Sequence, residues 1–84
     1  MAALARVKYF MADNAAWYWY ASEGQQDGDD FRFFGLVVGH EAELGYFVLS
    51  ELEAIRGPWG LPVERDLYFA PQSLGVLRAY HERR

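Results

Sequence analysis

Alternation of apolar and polar positions divides most of the chain into short strands. Residues 7–11, Val-Lys-Tyr-Phe-Met, predict a first strand, closed by Ala12-Asp13-Asn14, whose Asp and Asn favour turns. Residues 15–22 predict the second. In Trp17-Tyr18-Trp19-Tyr20 a period of two puts the tryptophans on one face and the tyrosines on the other. Both faces are then largely apolar, so a helix, loop or partner should cover part of the outer one. Residues 23–30 are polar and acidic, contain Gly24, and predict a hairpin loop. Strand resumes over 31–38, with Phe31, Phe33 and Val37 on one face and Phe34, Leu36 and Val38 on the other. Gly35 within it marks a bulge or a close backbone approach. Gly39-His40-Glu41-Ala42 then turns the chain into a fourth strand over 43–49, which completes an antiparallel meander.

Ser50 followed by Glu53 has the spacing of a capping box and opens a short helix through Leu52 and Ile55, which Gly57-Pro58 ends. After the loop Trp59-Gly60-Leu61-Pro62, residues 63–70 read as a further strand. Pro71 and Ser73 open a last helix to about Arg83, with Leu74, Leu77 and Tyr80 as its apolar stripe. The expected fold is one α+β domain over residues 1–84: an antiparallel sheet of four to five strands with two short helices packed on one face.

With 84 residues the core is small, and fifteen aromatics (three Trp, six Tyr, six Phe) supply much of it. The absence of cysteine rules out disulfides, thiolate zinc sites and a cysteine nucleophile. Met1-Ala2-Ala3-Leu4-Ala5-Arg6 is too short for a signal core, and no apolar run approaches the roughly 20 residues that span a bilayer, so a cytoplasmic location is expected. The net charge of −4 is unevenly distributed. Residues 23–53 carry Glu23, Asp27, Asp29, Asp30, Glu41, Glu43, Glu51 and Glu53 against Arg32 alone, a net −7, while the segments before and after are weakly positive. Such a field repels nucleic acid and attracts basic surfaces.

Candidate chemistry is sparse. In a strand, Glu64 and Asp66 share one face and Arg65 takes the other, so Glu64-Arg65-Asp66 reads as a structural ion pair with a neighbouring strand or helix rather than a ligand clamp. His40, Glu41 and Glu43 fall short of a zinc ligand set, and His81 lies far along the chain. Ser22, Ser50 and Ser73 lie outside any nucleophile elbow, and Ser50 and Ser73 read as helix caps. No Gly-rich phosphate loop occurs. No catalytic residue, metal or cofactor is therefore expected. Stacking of bases on Trp17, Trp19 and Phe33 lacks the basic residues it needs; with Phe47 and Phe69 these rings read as core. Tyr18, Tyr20 and Tyr46 are better candidates for a contact surface, because tyrosine is amphipathic and enriched in interfaces.

The run Glu43-Leu44-Gly45-Tyr46-Phe47-Val48-Leu49-Ser50-Glu51-Leu52-Glu53, then Gly57 and Gly60-Leu61-Pro62-Val63-Glu64-Arg65-Asp66-Leu67-Tyr68-Phe69, resembles a bacterial family labelled as a domain of unknown function. Trp19-Tyr20 and Phe33-Phe34-Gly35 fit the same pattern, and the likeness covers about residues 7–77. The chain departs from it in starting without the usual amino-terminal extension and in having few residues between its third and fourth strands. The resemblance implies a setting in plasmids, phages and integrative elements, often near anti-restriction genes, with no established catalytic residues.

Together these features lead to the expectation of a small non-enzymatic mobile-element protein, monomer or homodimer. It would inhibit a host defence complex, anti-CRISPR or anti-restriction, by occluding a basic nucleic-acid-binding surface, without itself touching nucleic acid or membrane. The expected contact residues are Glu23, Asp27, Asp29, Asp30, Glu41 and Glu43, with Tyr18 and Tyr20. The alternative is a structural or regulatory interaction module that binds through an aromatic sheet face. The first reading requires the carboxylates to share one surface.

Overall fold

The period-two pattern does produce strands, and their pairing follows from which side chains each face can bury. The computed structural model describes residues 3–14 and 16–83. Five strands, β2 (Val7–Met11), β3 (Tyr18–Asp27), β4 (Asp30–Val38), β5 (Ala42–Val48) and β6 (Val63–Arg65), form an antiparallel sheet in the order β5-β4-β3-β2-β6. A separate two-stranded ribbon joins β1 (Leu4–Ala5) to β7 (Gln72–Ser73). The helices are α1 (Leu49–Ala54) and α2 (Leu74–Glu82).

The expected face assignments hold. Tyr18 and Tyr20 pair with Val38 and Leu36, and together with Ala5, Leu74 and Leu77 they build one cluster. Trp19, Ala21, Phe33 and Phe47 build the other, with Leu52 of α1 and Met11. The two helices therefore lie on opposite faces, α1 on the tryptophan side and α2 on the tyrosine side, and not together on one. Both faces are apolar, and each needs a cover.

Residues 23–30, expected as a hairpin loop, do form the hairpin, but 23–27 and 30 are strand and only Gly28 and Asp29 are turn. Polar side chains do not prevent pairing, and β3 and β4 continue to the pair Asp27↔Asp30. Gly28 has φ +61 and Asp29 has no positive φ, the pattern of a two-residue type II′ turn. Ser22 is the extra residue of a β-bulge, since Ala21 pairs with Gly35 and Glu23 with Phe34. Its hydroxyl donates to the Phe34 carbonyl at 3.1 Å. A Cβ on Gly35 would stand 1.7 Å from the Tyr20 carbonyl oxygen, which is the close backbone approach its sequence position announces. The strand expected from Ala15 begins at Tyr18; Ala15 itself, like Met1, Ala2 and Arg84, lies outside the described residues.

The capping box is not formed. The N-cap of α1 is Val48, with no side-chain cap. The Ser50 hydroxyl instead donates to Asp30 Oδ2, and the Ser50 N–H to Asp30 Oδ1 at 3.0 Å. The strand expected over 63–70 stops at Arg65, because Asp66 turns the chain. The second predicted cap stands: Ser73 Oγ accepts from the Val76 N–H.

Candidate interaction surface

Helix α2 covers the tyrosine face over β4 and β5 and leaves the part made by β2 and β6 open. There Lys8 pairs with Tyr20 and Phe10 with Tyr18, so an ammonium stem lies among rings. Lys8 Nζ stands 4.9 Å from the centre of the Tyr18 ring and 3.9 Å from Asp66 Oδ2. Asp66 is the pivot of the following turn. Its N–H donates to the Lys8 carbonyl at 2.9 Å, and its Oδ1 accepts from the Tyr68 N–H at 2.9 Å. Held this way, Leu67 is 79% exposed and Tyr68 95% exposed. Val76 and Tyr80 of α2 form the opposite wall of a cavity of about 420 Å³ that also touches Lys8, Asp66 and Tyr68. A second cavity of about 430 Å³ continues past Phe10, Tyr18, Arg65 and Leu67. The two share Lys8, Asp66 and Tyr68, so they make one aromatic groove with a single ion pair at its centre.

The floor of the groove is fixed by Tyr20, which is 3% exposed. Its hydroxyl shares a 2.8 Å hydrogen bond with His81 Nε2, and its ring lies 5.8 Å from Phe69 and 5.5 Å from His81. Burial pushes the Tyr20 phenol up to about 12, with Tyr18, Tyr80 and Asp66 adding to the rise. Tyr9, on the tryptophan side, is likewise raised by burial, and Arg65 opposes the rise.

The expected contact residues do not form one surface. Asp27, Asp29 and Asp30 lie at the hairpin tip, whereas Glu41 and Glu43 flank the turn at the far end of β4. At roughly 3.4 Å per residue, the nine residues of β4 separate these groups by about 27 Å. Glu23 lies with Arg32 and Tyr46 in a small cleft near the tip. Tyr20 is core rather than contact surface. Asp30 accepts from Ser50 and from the Phe31 N–H, and these bonds hold its carboxyl below the usual range against a small effect of burial. Tyr18 and Glu41 line one cavity of about 580 Å³, together with His40, His81 and Glu82. Among the described residues no cluster of His, Asp or Glu is placed to hold a metal ion. No helix among them is long and apolar enough to cross a membrane.

Two features escape sequence reasoning. His81 belongs to the tyrosine network, where its ring lies 5.2 Å from Tyr18; only the packing of α2 brings it there. The loop 57–61 is held by Asp13, whose Oδ2 accepts from the N–H groups of Trp59 at 2.8 Å and Leu61 at 3.3 Å. Asp13 Oδ1 lies where a Cβ on Gly57 would approach to 1.6 Å, so Gly57 is needed for this docking. The consequence is an 84% exposed Trp59 on a fixed loop. The signal available was Asp13 itself, which the sequence assigns only to a turn.

A family model described as "Protein of unknown function (DUF2958)" matches residues 3–82. The chain belongs to the DUF2958 family. No curated protein matches it, and no solved structure does. The DUF2958 match spans both helices and every strand, so the groove and the hairpin tip both lie within the family's extent.

Proposed function

We propose that this DUF2958 chain is a non-catalytic interaction module that binds a protein partner through the aromatic groove on its tyrosine face. The observation that carries this reading is Tyr68, 95% exposed on a turn whose backbone the Asp66 carboxylate holds, beside Leu67 and across the groove from Val76 and Tyr80. Exposed apolar side chains grouped around a groove mark interaction sites, and a turn whose backbone is already held loses less entropy on binding than a free loop. Lys8 and Asp66 give the groove one charge of each sign, which orients a partner. A plasmid or phage setting, implied by the resemblance, makes that partner a host or element protein. The test is capture from a host lysate followed by titration of the captured protein. Leu67→Ser with Tyr68→Ala should weaken binding by about 2 kcal/mol or more, roughly thirtyfold, with the fold intact. Unchanged affinity would move the contact elsewhere.

A second reading keeps inhibition of a host defence complex and narrows its surface to the hairpin tip. It is supported by the Asp30–Ser50 bonds, which fix the tip against α1 and present Asp27 and Asp29. Here the tip competes for a basic groove that normally holds phosphates. Asp27→Lys with Asp29→Lys should slow association with a CRISPR or restriction complex most at low salt. An association rate independent of both charge and salt would remove this reading.

A further inference from the structure

The five-stranded sheet has two edges, and they are built differently. The β6 edge is three residues long, follows Pro62, and carries Glu64 and Arg65. Shortness, proline and charge are the devices that keep an edge from pairing with another chain. The β5 edge is neither short nor interrupted by proline: it is seven residues, Ala-Glu-Leu-Gly-Tyr-Phe-Val, with Glu43 its one charge. Beyond its ladder with β4, no other backbone hydrogen bond reaches residues 42–47 among the described residues. Helix α2 reaches Leu44, but a Cβ built on Gly45 meets nothing within 4 Å and Tyr46 is 68% exposed, so the strand is open at these two residues.

We infer that β5 pairs antiparallel with β5 of a second copy of this chain, joining two sheets into one. A two-fold axis perpendicular to the sheet makes such an edge self-complementary, and it requires a residue to face itself. Full overlap of Ala42–Val48 puts Gly45 on that axis. Leu44 then faces Tyr46 of the other copy, an aliphatic–aromatic pair, and Glu43 faces Phe47, so no like charges oppose each other. The smallest residue stands where the copies meet, above open space. The groove of Lys8 and Tyr68 lies toward the opposite edge and stays free in the dimer, so this inference stands apart from the binding function proposed above.

Sedimentation equilibrium of the full chain is the test. The wild type should show a monomer–dimer equilibrium. Gly45→Lys should weaken it by roughly fivefold or more, since like charges would face each other across the axis, and Gly45→Asp should do the same. An equimolar mixture of the two variants should restore dimers, because opposite charges then meet. Circular dichroism checks that each variant folds; should the Gly45 variants not fold, Tyr46→Lys at an exposed position should weaken the dimer instead. A wild type that stays monomeric to its solubility limit overturns the inference, as does a Gly45→Lys dimer of undiminished strength or a mixture that stays monomeric. A monomer whose β5 amides gain exchange protection only when a foreign extended peptide is added assigns the edge to that peptide, and also overturns it.

Discussion

One set of strands presents two unlike faces, and the route of the chain accounts for the difference. Strands β5 and β6 lie at opposite edges, so the connection between them must cross the sheet, and α1 carries it over the tryptophan face. Leu52 and Ile55 are carried over Trp19, Phe33 and Phe47, and α1 covers most of that face. Helix α2 enters from the β7 ribbon and seats Leu74 and Leu77 in the cluster of Ala5, Tyr20, Leu36 and Val38, with Ala42 and Leu44 of β5 beside it. The rest of the tyrosine face keeps Lys8, Phe10 and Tyr68 accessible as groove walls. Both faces carry a buried cluster, and the tyrosine face adds to its cluster an open groove. Because the domain is small, this division should be visible in single substitutions.

The largest contrast is between the two kinds of ring. Phe33 is buried and packs on Phe47 at 5.3 Å, Phe31 at 5.2 Å and Tyr9 at 5.8 Å. Phe33→Ala should cost about 3–5 kcal/mol, from lost burial and the cavity left behind. That is a large share of the roughly 5–15 kcal/mol that holds a domain together. Tyr68→Ala should fall within about 0.5 kcal/mol of the wild type. Urea unfolding of both variants checks the comparison, and equal losses would break it.

A smaller effect probes the boundary between the closed and open parts of the tyrosine face. Tyr20→Phe removes the hydrogen bond to His81 and should cost about 0.5–1.5 kcal/mol at neutral pH. The pH dependence is more telling. Folding raises the Tyr20 phenol from 10.0 to about 12, so the unfolded chain loses this proton first. The contribution is complete below about pH 10 and declines as pH rises from there through 12. The phenylalanine variant should lack that decline, and in the wild type one tyrosinate absorbance step should appear late, near pH 12. A titration in which every tyrosine ionises together near 10 would mean that Tyr20 is wetter than its packing implies.

Periodicity made the faces legible, and it left invisible what depends on contacts between distant segments. Trp19 against Tyr20 and Phe33 against Phe34 could be assigned from spacing alone, because a strand alternates whatever surrounds it. Ser73 could be assigned as a cap because its partner is three residues away. The same rule failed at Ser50, where Asp30, twenty residues earlier, takes the hydroxyl. Polarity alone suggests irregular backbone over residues 23–30, yet a two-residue turn at Gly28 and Asp29 pairs their flanks as strand. Summing charge along the chain had the same weakness. It made neighbours of Asp29 and Glu41, which β4 holds at opposite ends. The groove was only partly legible: Tyr18 stood out as a contact candidate, whereas Lys8, Tyr68 and His81 meet it only through pairing and helix packing.

The smallest expected effect separates the two helices rather than the two faces. Helix α2 brings its own cap in Ser73, whereas the first turn of α1 relies on Asp30 across the hairpin. The Ser50 hydroxyl and the N–H groups of Phe31 and Ser50 hold the Asp30 carboxyl below its ordinary value of 3.8. The folded chain therefore gives up this proton more readily than the unfolded one. Its contribution is present above the unfolded value and fades as pH falls through the lower folded value. Asp30→Asn should leave stability at neutral pH only slightly reduced, flatten the acid side of the stability profile, and speed amide exchange at Ser50. Exchange at Val76, under the Ser73 cap, should stay as it was. If Val76 and Ser50 accelerate together, the two helices open as one unit, and the closed and open faces of the sheet are not energetically separate.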